Sequence, residues 1–368
     1  MFWAFNTKCN EAEIELVGEI LRSGKLVRPW EQVTELEHTL TRTLQRHVAM
    51  CASGTDALVL AMEEFANVEI ATPEVIIPDF TFSAPYDAAR RACISPVICD
   101  VDPVSKTPTA EAIARLITPR TVAVVVVHAY GWPAPGIERI AELCERKGIA
   151  LIEDCAQAFG AMVGGRYVGT FGAAAIFSFY PTKPLSGIGE GGAVAFANAF
   201  AAERARMIRN HGWNGLEQVR LGYNSRMDEV NAAVIRARLE RYSATALHLS
   251  NLAKLYYEGL PKEIEKLPLA PGHEPVPYVF PIFADNRDEL RARLARYEIQ
   301  TLVHYDPPVS RLRMCHDHAS GEFPVAAAAA SRQLSLPCHR GMTPADVERI
   351  CRILSNDDGG ANEQPASE

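Results

Sequence analysis

What this chain lacks narrows its class before any motif is read. Its nine cysteines are scattered and include no CxxC pair, so the spacing indicates neither a zinc site nor a disulfide framework. Several, such as Cys99, Cys144 and Cys155, fall inside predicted strands or helices, as reduced, buried thiols of a cytoplasmic protein would. No stretch approaches 18 uninterrupted apolar residues, and no membrane-spanning helix is predicted. The start, Met1 to Asn6, is apolar but short, without the charged opening of a signal peptide. No basic run stands out and the formal net charge is -8, which argues against nucleic acid and anionic membrane as partners. There are no internal repeats. What is present is 368 residues, 48% of them hydrophobic, enough for one large domain and one smaller one.

The order of apolar runs predicts the architecture. Ile14, Leu16, Val17, Ile20 and Leu21 have helical spacing over Asn10 to Ser23, and Gly24 ends that helix. A second helix is expected from Trp30 to Leu44, a strand over His47 to Ala52 and a helix from Ala57 to Phe65. Strands over Val75-Ile76-Ile77, Pro96 to Cys99, Val122 to Val127, Ala150 to Ile152, Ala174 to Phe177 and Ala193 to Phe196 then follow, with a helix over Ile137 to Lys147. Continuous apolar strands between helices indicate a mostly parallel sheet covered on both faces. Beyond Asn210 the character changes. One long helix fits Met227 to Leu247, continuing as far as Glu258. A Pro-rich stretch covers Leu267 to Pro281. Helices over Arg287 to Tyr297 and Thr343 to Leu354 belong to a smaller α+β unit, and Ala326 to Ala330 reads as helix. Arg90-Arg91 and Arg204-Ala205-Arg206 read as solvated helix faces. The polar end, 357–368, is expected to be disordered.

Three places on this scaffold carry chemistry. Lys183 follows Phe177, Phe179 and Tyr180 and precedes Gly187, Gly189, Gly191 and Gly192. Desolvation there lowers a lysine's pKa and frees its amine as a Schiff-base nucleophile; a snorkelling loop lysine is the plainer alternative. Asp154 follows the apolar strand Ala150-Leu151-Ile152, in the crevice where open α/β sheets bind ligands. A carboxylate there can keep a pyridine nitrogen protonated; it can equally cap a loop. Gln157 lies three residues on, in reach of the same ring. Ser53-Gly54-Thr55-Asp56 joins a strand to a helix, where unpaired amides and the helix dipole favour an anion such as phosphate; a simple N-cap is the alternative. Ser178 is placed to help hold a phosphate and Phe82 to stack on a flat ring. A phosphate turn, a stacking aromatic, a ring carboxylate and a lysine, in that order, point to pyridoxal phosphate as cofactor. Cys315-His316-Asp317-His318 carries metal-capable side chains, but adjacent residues cannot all face one ion and no second cluster completes a set. No metal is expected. Gly187 to Gly192 matches GxGxxG, but it precedes a strand instead of opening a helix after one, unlike a dinucleotide fold.

The same segments resemble the DegT/DnrJ/EryC1/StrS family, the sugar aminotransferases among the fold-type I pyridoxal phosphate enzymes. The match runs in order through Ser23-Gly24-Lys25-Leu26, Ser53-Gly54-Thr55-Asp56-Ala57-Leu58, Thr81-Phe82, His128-Ala129-Tyr130-Gly131, Ile152-Glu153-Asp154-Cys155-Ala156-Gln157, Phe177-Ser178-Phe179-Tyr180-Pro181-Thr182-Lys183, Gly189-Glu190-Gly191-Gly192, Gly222-Tyr223-Asn224-Ser225-Arg226, His304-Tyr305 and Leu334-Ser335-Leu336-Pro337.

The resemblance implies a seven-stranded, mostly parallel sheet between helices. It implies an N-terminal segment and large cofactor-binding domain over 1–240 and a small C-terminal domain over 241–356. Lys183 and Asp154 would be catalytic. Gly54, Thr55 and Ser178 would hold the phosphate, with Phe82 on the ring and Gln157 beside it. Asn224 would reach the phosphate of a neighbouring subunit, making the enzyme a homodimer with shared sites. His304 and Tyr305 would lie near the substrate entrance. The chain departs from the family pattern on the substrate side. Ala244 to Ser250 lacks an arginine, and the Val276-Pro277-Tyr278 region lacks a histidine. The implied activity is transfer of an amino group from a donor, L-glutamate, to a keto sugar, a nucleotide-linked keto-deoxyhexose. Gly222 to Arg226 resembles the version found with 3-keto acceptors. A keto-cyclitol is the rival acceptor. Two further alternatives are a sugar dehydratase of the same fold, which would carry histidine in place of Lys183, and a non-catalytic regulatory member.

Overall fold

The apolar runs assemble into one central sheet in which every strand but one runs toward the same edge. The computed structural model describes residues 3–27, 30–66, 69–315 and 321–355. The expected tail at 357–368 and the His316-Asp317-His318 string lie outside the described residues. In chain order the elements are α1 (Glu11–Ser23), α2 (Glu31–Leu44), β1 (His47–Cys51), α3 (Gly54–Phe65), β2 (Glu74–Pro78), α4 (Ala84–Arg91), β3 (Ser95–Cys99), α5 (Ala110–Leu116) and β4 (Thr121–Val127). There follow α6 (Ile137–Lys147), β5 (Ala150–Asp154), β6 (Met162–Val163), β7 (Arg166–Tyr167), β8 (Ala174–Ser178), β9 (Gly192–Phe196), α7 (Ala199–Ile208), α8 (Glu229–Leu239) and α9 (Tyr242–Gly259). The last third contributes β10 (Glu265–Lys266), β11 (His273–Glu274), β12 (Phe280–Phe283), α10 (Arg287–Arg296), α11 (Pro324–Arg332), β13 (Gln333–Leu336) and α12 (Pro344–Leu354).

The central sheet has the order β1-β9-β8-β5-β4-β2-β3. Four of its six pairings are parallel, and β9 runs against both neighbours. All seven residues of β4 are buried, because helices cover both faces and leave no side of the strand to water. Two smaller sheets, β10-β12-β13 and β11-β6-β7, complete the fold.

Register places the chemistry. Cys51, Gly192 and Ser178 lie side by side across β1, β9 and β8. Val127, Asp154 and Ile176 lie side by side across β4, β5 and β8. The turn after β1, the end of β5 and the end of β8 therefore converge on one edge. Gly192 is needed for that approach, since a Cβ there would fall 2.2 Å from the Ser53 carbonyl oxygen. Glu153, beside Asp154, is wholly buried and takes no part in the cavity. It accepts from the Gly169, Phe171 and Gly172 amides, each at 2.7 Å, and lies 3.0 Å from His128 Nε2. Because His128 Nδ1 accepts from the Ala134 amide at 2.9 Å, the ring proton sits on Nε2 and points at Glu153. That network anchors the end of β5 and loop 169–172.

Two expectations need correction. The single helix read from Met227 is two helices, α8 and α9, broken at Glu240-Arg241, where Arg241 has φ -108° and ψ 6°. The break turns Tyr242 inward, so that its ring packs edge-on to Phe159 at 5.1 Å and its hydroxyl donates to the Phe159 carbonyl at 2.6 Å. No glycine or proline marks the spot, because tertiary packing sets it. Of the arginines read as solvated, Arg90 and Arg91 are exposed, Arg91 pairing with Asp56 at the surface, whereas Arg204 and Arg206 are half-buried, Arg204 pairing with Glu64 and Arg206 with Glu37 and the Val48 carbonyl. All nine cysteines are free. Seven are buried, Cys9 is half-buried and Cys93 is exposed.

Candidate active site

A cavity of about 600 Å³ opens at the convergent edge of the sheet, lined by Gly54, Thr55, Phe82, Asp154, Gln157, Ser178, Lys183, His304 and Tyr305. Every one of these was singled out in the sequence. A cavity of similar size, about 620 Å³, lies against α9 and the β6–β7 hairpin, and neither Lys183 nor Asp154 borders it.

The anion end is built by β1, α3 and β8. Ser53 caps α3, its Oγ accepting from the Asp56 amide at 3.1 Å. Among the described residues no hydrogen bond uses the Gly54 or Thr55 amide, as expected for the first turn of a helix. Gly54 lies so close to β8 that a Cβ would meet Ser178 Cβ at 2.9 Å and Ser178 Oγ at 3.3 Å. The turn and the Ser178 hydroxyl thus form one cradle, with the dipole of a twelve-residue helix behind it.

Asp154 forms the opposite end. It is 6% exposed. Burial pushes its carboxyl pKa up, partly offset by the Ala156 amide, Lys183 and His128. One carboxylate oxygen accepts from the Ala156 amide at 3.0 Å. Among the described residues the other has no hydrogen-bond partner, although it borders the cavity. A buried carboxylate with one oxygen unused is a site for a cationic N–H, which a protonated pyridine supplies.

Lys183 follows β8 in a turn closed by its own amide donating to the Tyr180 carbonyl at 2.9 Å. Part of its surface opens to the cavity, yet the atoms packed around the amine drop its pKa to about 8, against the pull of Asp154 and Glu190 toward the charged form. At pH 7 about a tenth of the amine is then free, against well under a thousandth for an ordinary lysine. Phe82 is 58% exposed, its ring 6.0 Å from that of Tyr305 and tilted by 48°. Gln157 is held at both ends. Its Oε1 accepts from the Tyr130 amide at 2.6 Å and its Nε2 donates to the Tyr305 hydroxyl. His304 Nδ1 lies 2.8 Å from Ser335 Oγ. Burial, with the Lys183 charge nearby, lowers its pKa to about 4, so it is neutral at physiological pH. Phosphate cradle, ring carboxylate and depressed lysine line one cavity, and they fit pyridoxal phosphate.

Asn224 does not line this cavity and is exposed. The next residue, Ser225, is buried, and its hydroxyl donates to Asp56 at 2.7 Å. Thr182, Glu190 and Tyr278 also border the cavity and were not singled out in the sequence. The first two lie inside quoted motifs, though no role was given to them there. Tyr278 carries no local signal, since it reaches the site from a Pro-flanked segment before β12.

Comparison with known proteins agrees with this geometry. The model of the DegT/DnrJ/EryC1/StrS aminotransferase family matches residues 7–355. The chain is 39% identical over 313 residues to the UDP-N-acetyl-3-dehydro-alpha-D-glucosamine 3-aminotransferase of Acidithiobacillus ferrooxidans, covering 84% of this chain and 83% of that one. It is 39% identical over 305 residues to the dTDP-3-amino-3,4,6-trideoxy-alpha-D-glucose transaminase of Streptomyces venezuelae, covering 79% of this chain and 77% of that one. Among solved structures, S. venezuelae DesV superposes with a TM-score of 0.89 at 34% identity, covering 94% of each chain.

Proposed function

The chain belongs to the DegT/DnrJ/EryC1/StrS aminotransferase family and is a pyridoxal phosphate-dependent aminotransferase; from that premise we propose that it moves an amino group from L-glutamate to C3 of a nucleotide-linked 3-keto sugar in amino-sugar biosynthesis. The acceptor is inferred from the relatives, two of which are named for 3-amino products or 3-dehydro substrates. The observation that carries the chemistry is Lys183, an amine with pKa about 8 in one cavity with Asp154.

When bound, pyridoxal phosphate supplies an aldehyde to be held by a lysine and a ring that takes up the electron pair left on the substrate carbon. Lys183 is the residue that holds it. With the cofactor bound, the Lys183 Nζ, when free, would be the group that takes and returns the proton of the substrate carbon. Asp154 holds the ring nitrogen protonated. Gly54, Thr55 and Ser178 bind the phosphate, Phe82 stacks on the ring and Gln157 steadies its edge through Tyr305. His304 and Tyr305 face the incoming sugar. Lysine at position 183 supports amino transfer over dehydration. In this reading a large unit over 1–240 carries the cradle, Asp154 and Lys183, and a small unit over 241–356 contributes His304 and Tyr305.

The working enzyme in this reading is a cytoplasmic homodimer. No helix among the described residues is long and apolar enough to cross a membrane. Asn224 is exposed next to the segment that carries exposed Trp213, Leu216 and Leu221, a surface suited to a second copy whose cofactor phosphate Asn224 completes.

Purified protein should be yellow, lose that colour with glutamate, and regain it with a UDP- or dTDP-linked 3-keto sugar. Recovery with a 4-keto sugar or a keto-cyclitol alone would replace the acceptor. Borohydride that fixes the cofactor to Lys183→Ala as firmly as to the wild type would overturn the role of the lysine. A sedimentation profile that stays monomeric at micromolar concentration would remove the shared site.

A further inference from the structure

The Lys183 amine lies over an aromatic face. Its Nζ is 4.4 Å from the centroid of the Tyr278 ring. Tyr278 is 7% exposed and is fastened from several directions. Its amide donates to the Tyr130 carbonyl at 2.8 Å. Its hydroxyl lies 3.2 Å from Thr182 Oγ1, on the residue next to the lysine. Phe5, from the segment before α1, stacks on it with centroids 5.2 Å apart and planes 23° apart. His304 flanks it at 5.9 Å. A ring held this firmly presents one face at a set distance from the amine, and a cation is attracted to such a face most strongly where water is excluded.

We propose that Tyr278 is a positioning residue, whose ring is the shelf on which the Lys183 ammonium rests whenever the lysine is not joined to the cofactor. The proposal rests on the reading of Lys183 as the cofactor-bearing residue. Each half of the reaction sets that lysine free, and its four-carbon stem is then able to wander through many rotamers. The shelf holds Nζ beside the position where it must give or take a proton. The other groups facing the amine are Asp154 at the end of β5 and Glu190 between β8 and β9, which favour the ammonium, with His304 neutral and Tyr305 uncharged on the loop before α11. Burial opposes them. The ring face is thus a further contribution on the side of the charged form, independent of either carboxylate.

The test uses cofactor-stripped protein. Recombination with pyridoxal phosphate requires the neutral amine, so the pH midpoint of the rate at which the visible band grows reports on Lys183. Tyr278→Leu removes the ring face and should move that midpoint to lower pH by about one unit, a tenfold change in the ratio of ammonium to amine. Tyr278→Phe keeps the face without the hydroxyl, and its midpoint should stay within about 0.3 unit of the wild type. Equal shifts in the two variants, or no shift in either, would overturn the shelf. Tyr278→Met, whose unbranched, flexible side chain fills irregular gaps better, replaces the leucine variant if the latter does not fold. Lys183→Ala separates the two ideas. Cofactor fixed to that variant by borohydride defeats the reading of the lysine, whereas the leucine–phenylalanine comparison bears on the shelf alone.

Discussion

Replacing Gly54 with alanine should weaken cofactor binding while leaving the stripped protein nearly as stable as before. The added Cβ would lie 2.9 Å from Ser178 Cβ and 3.3 Å from Ser178 Oγ. Carbon atoms rest at about 3.5–4.0 Å, so the turn and the end of β8 must separate by roughly 0.6–1 Å. Overpacking of this kind costs about 1–3 kcal/mol. Against it, Gly54 is the first residue of α3 and has no positive φ, and alanine is favoured over glycine in a helix by up to about 1 kcal/mol. The net loss of stability is then about 0–2 kcal/mol. The phosphate cradle bears the larger effect, because its amides and the Ser178 hydroxyl are driven apart. We expect affinity for pyridoxal phosphate to fall about 10- to 100-fold, equivalent to roughly 1.4–2.7 kcal/mol. Titrating stripped protein with the cofactor at the visible band gives the affinity, and denaturant unfolding of the same sample gives the stability. Wild-type affinity in Gly54→Ala would refute the cradle.

Asp154→Asn should fold, since it removes a buried charge, but it leaves the ring nitrogen without a carboxylate. Its kcat should fall at least about 10³-fold at constant cofactor content, in steady-state and single-turnover measurements. Arg238, 7% exposed, donates to both oxygens of Glu13 at 3.1 and 2.8 Å and to the Ser186 and Gly187 carbonyls at 3.0 and 2.9 Å. Arg238→Ala leaves that buried carboxylate with the Asn10 amide at 3.3 Å and the Arg241 guanidinium at 3.8 Å alone, and should cost up to about 3 kcal/mol in denaturant unfolding. Burial raises the Glu13 pKa, and Arg238, the Asn10 amide and Arg340 together more than offset it, so the folded value is lowered. The pair's contribution is therefore present above the ordinary carboxylate range and is lost as pH falls through the lower folded value. Below about pH 4 the stability difference between wild type and Glu13→Gln should shrink; a difference that is flat from pH 7 to pH 3 would contradict the pair.

The residues that make the chemistry recognisable were legible because they sit at strand ends. Asp154 ends an apolar run, the Ser53-Gly54-Thr55 turn follows another, and Lys183 comes just after a third. In an α/β sheet the ends of parallel strands meet, so a linear order of strand-end polar residues already predicts one site. The break between α8 and α9 was not legible, because nothing in Glu240-Arg241-Tyr242 disfavours helix, and burial of Tyr242 against Phe159 decides it. The pairing of Arg204 and Arg206 was hidden too, since Glu64 and Glu37 lie on other helices and charge alone does not say who faces whom.

Local sequence thus determined which strands and helices form and which strand ends carry a nucleophile, a carboxylate and an anion turn, since spacing and backbone propensity act within a few residues. Tertiary structure alone decided the distance from Gly54 to Ser178, the depth that takes Lys183 to a pKa of about 8, and the arrival of Tyr278 under its amine. Those depend on register across β1, β9 and β8 and on desolvation by groups far away in the chain, and neither is a property of any short stretch of sequence.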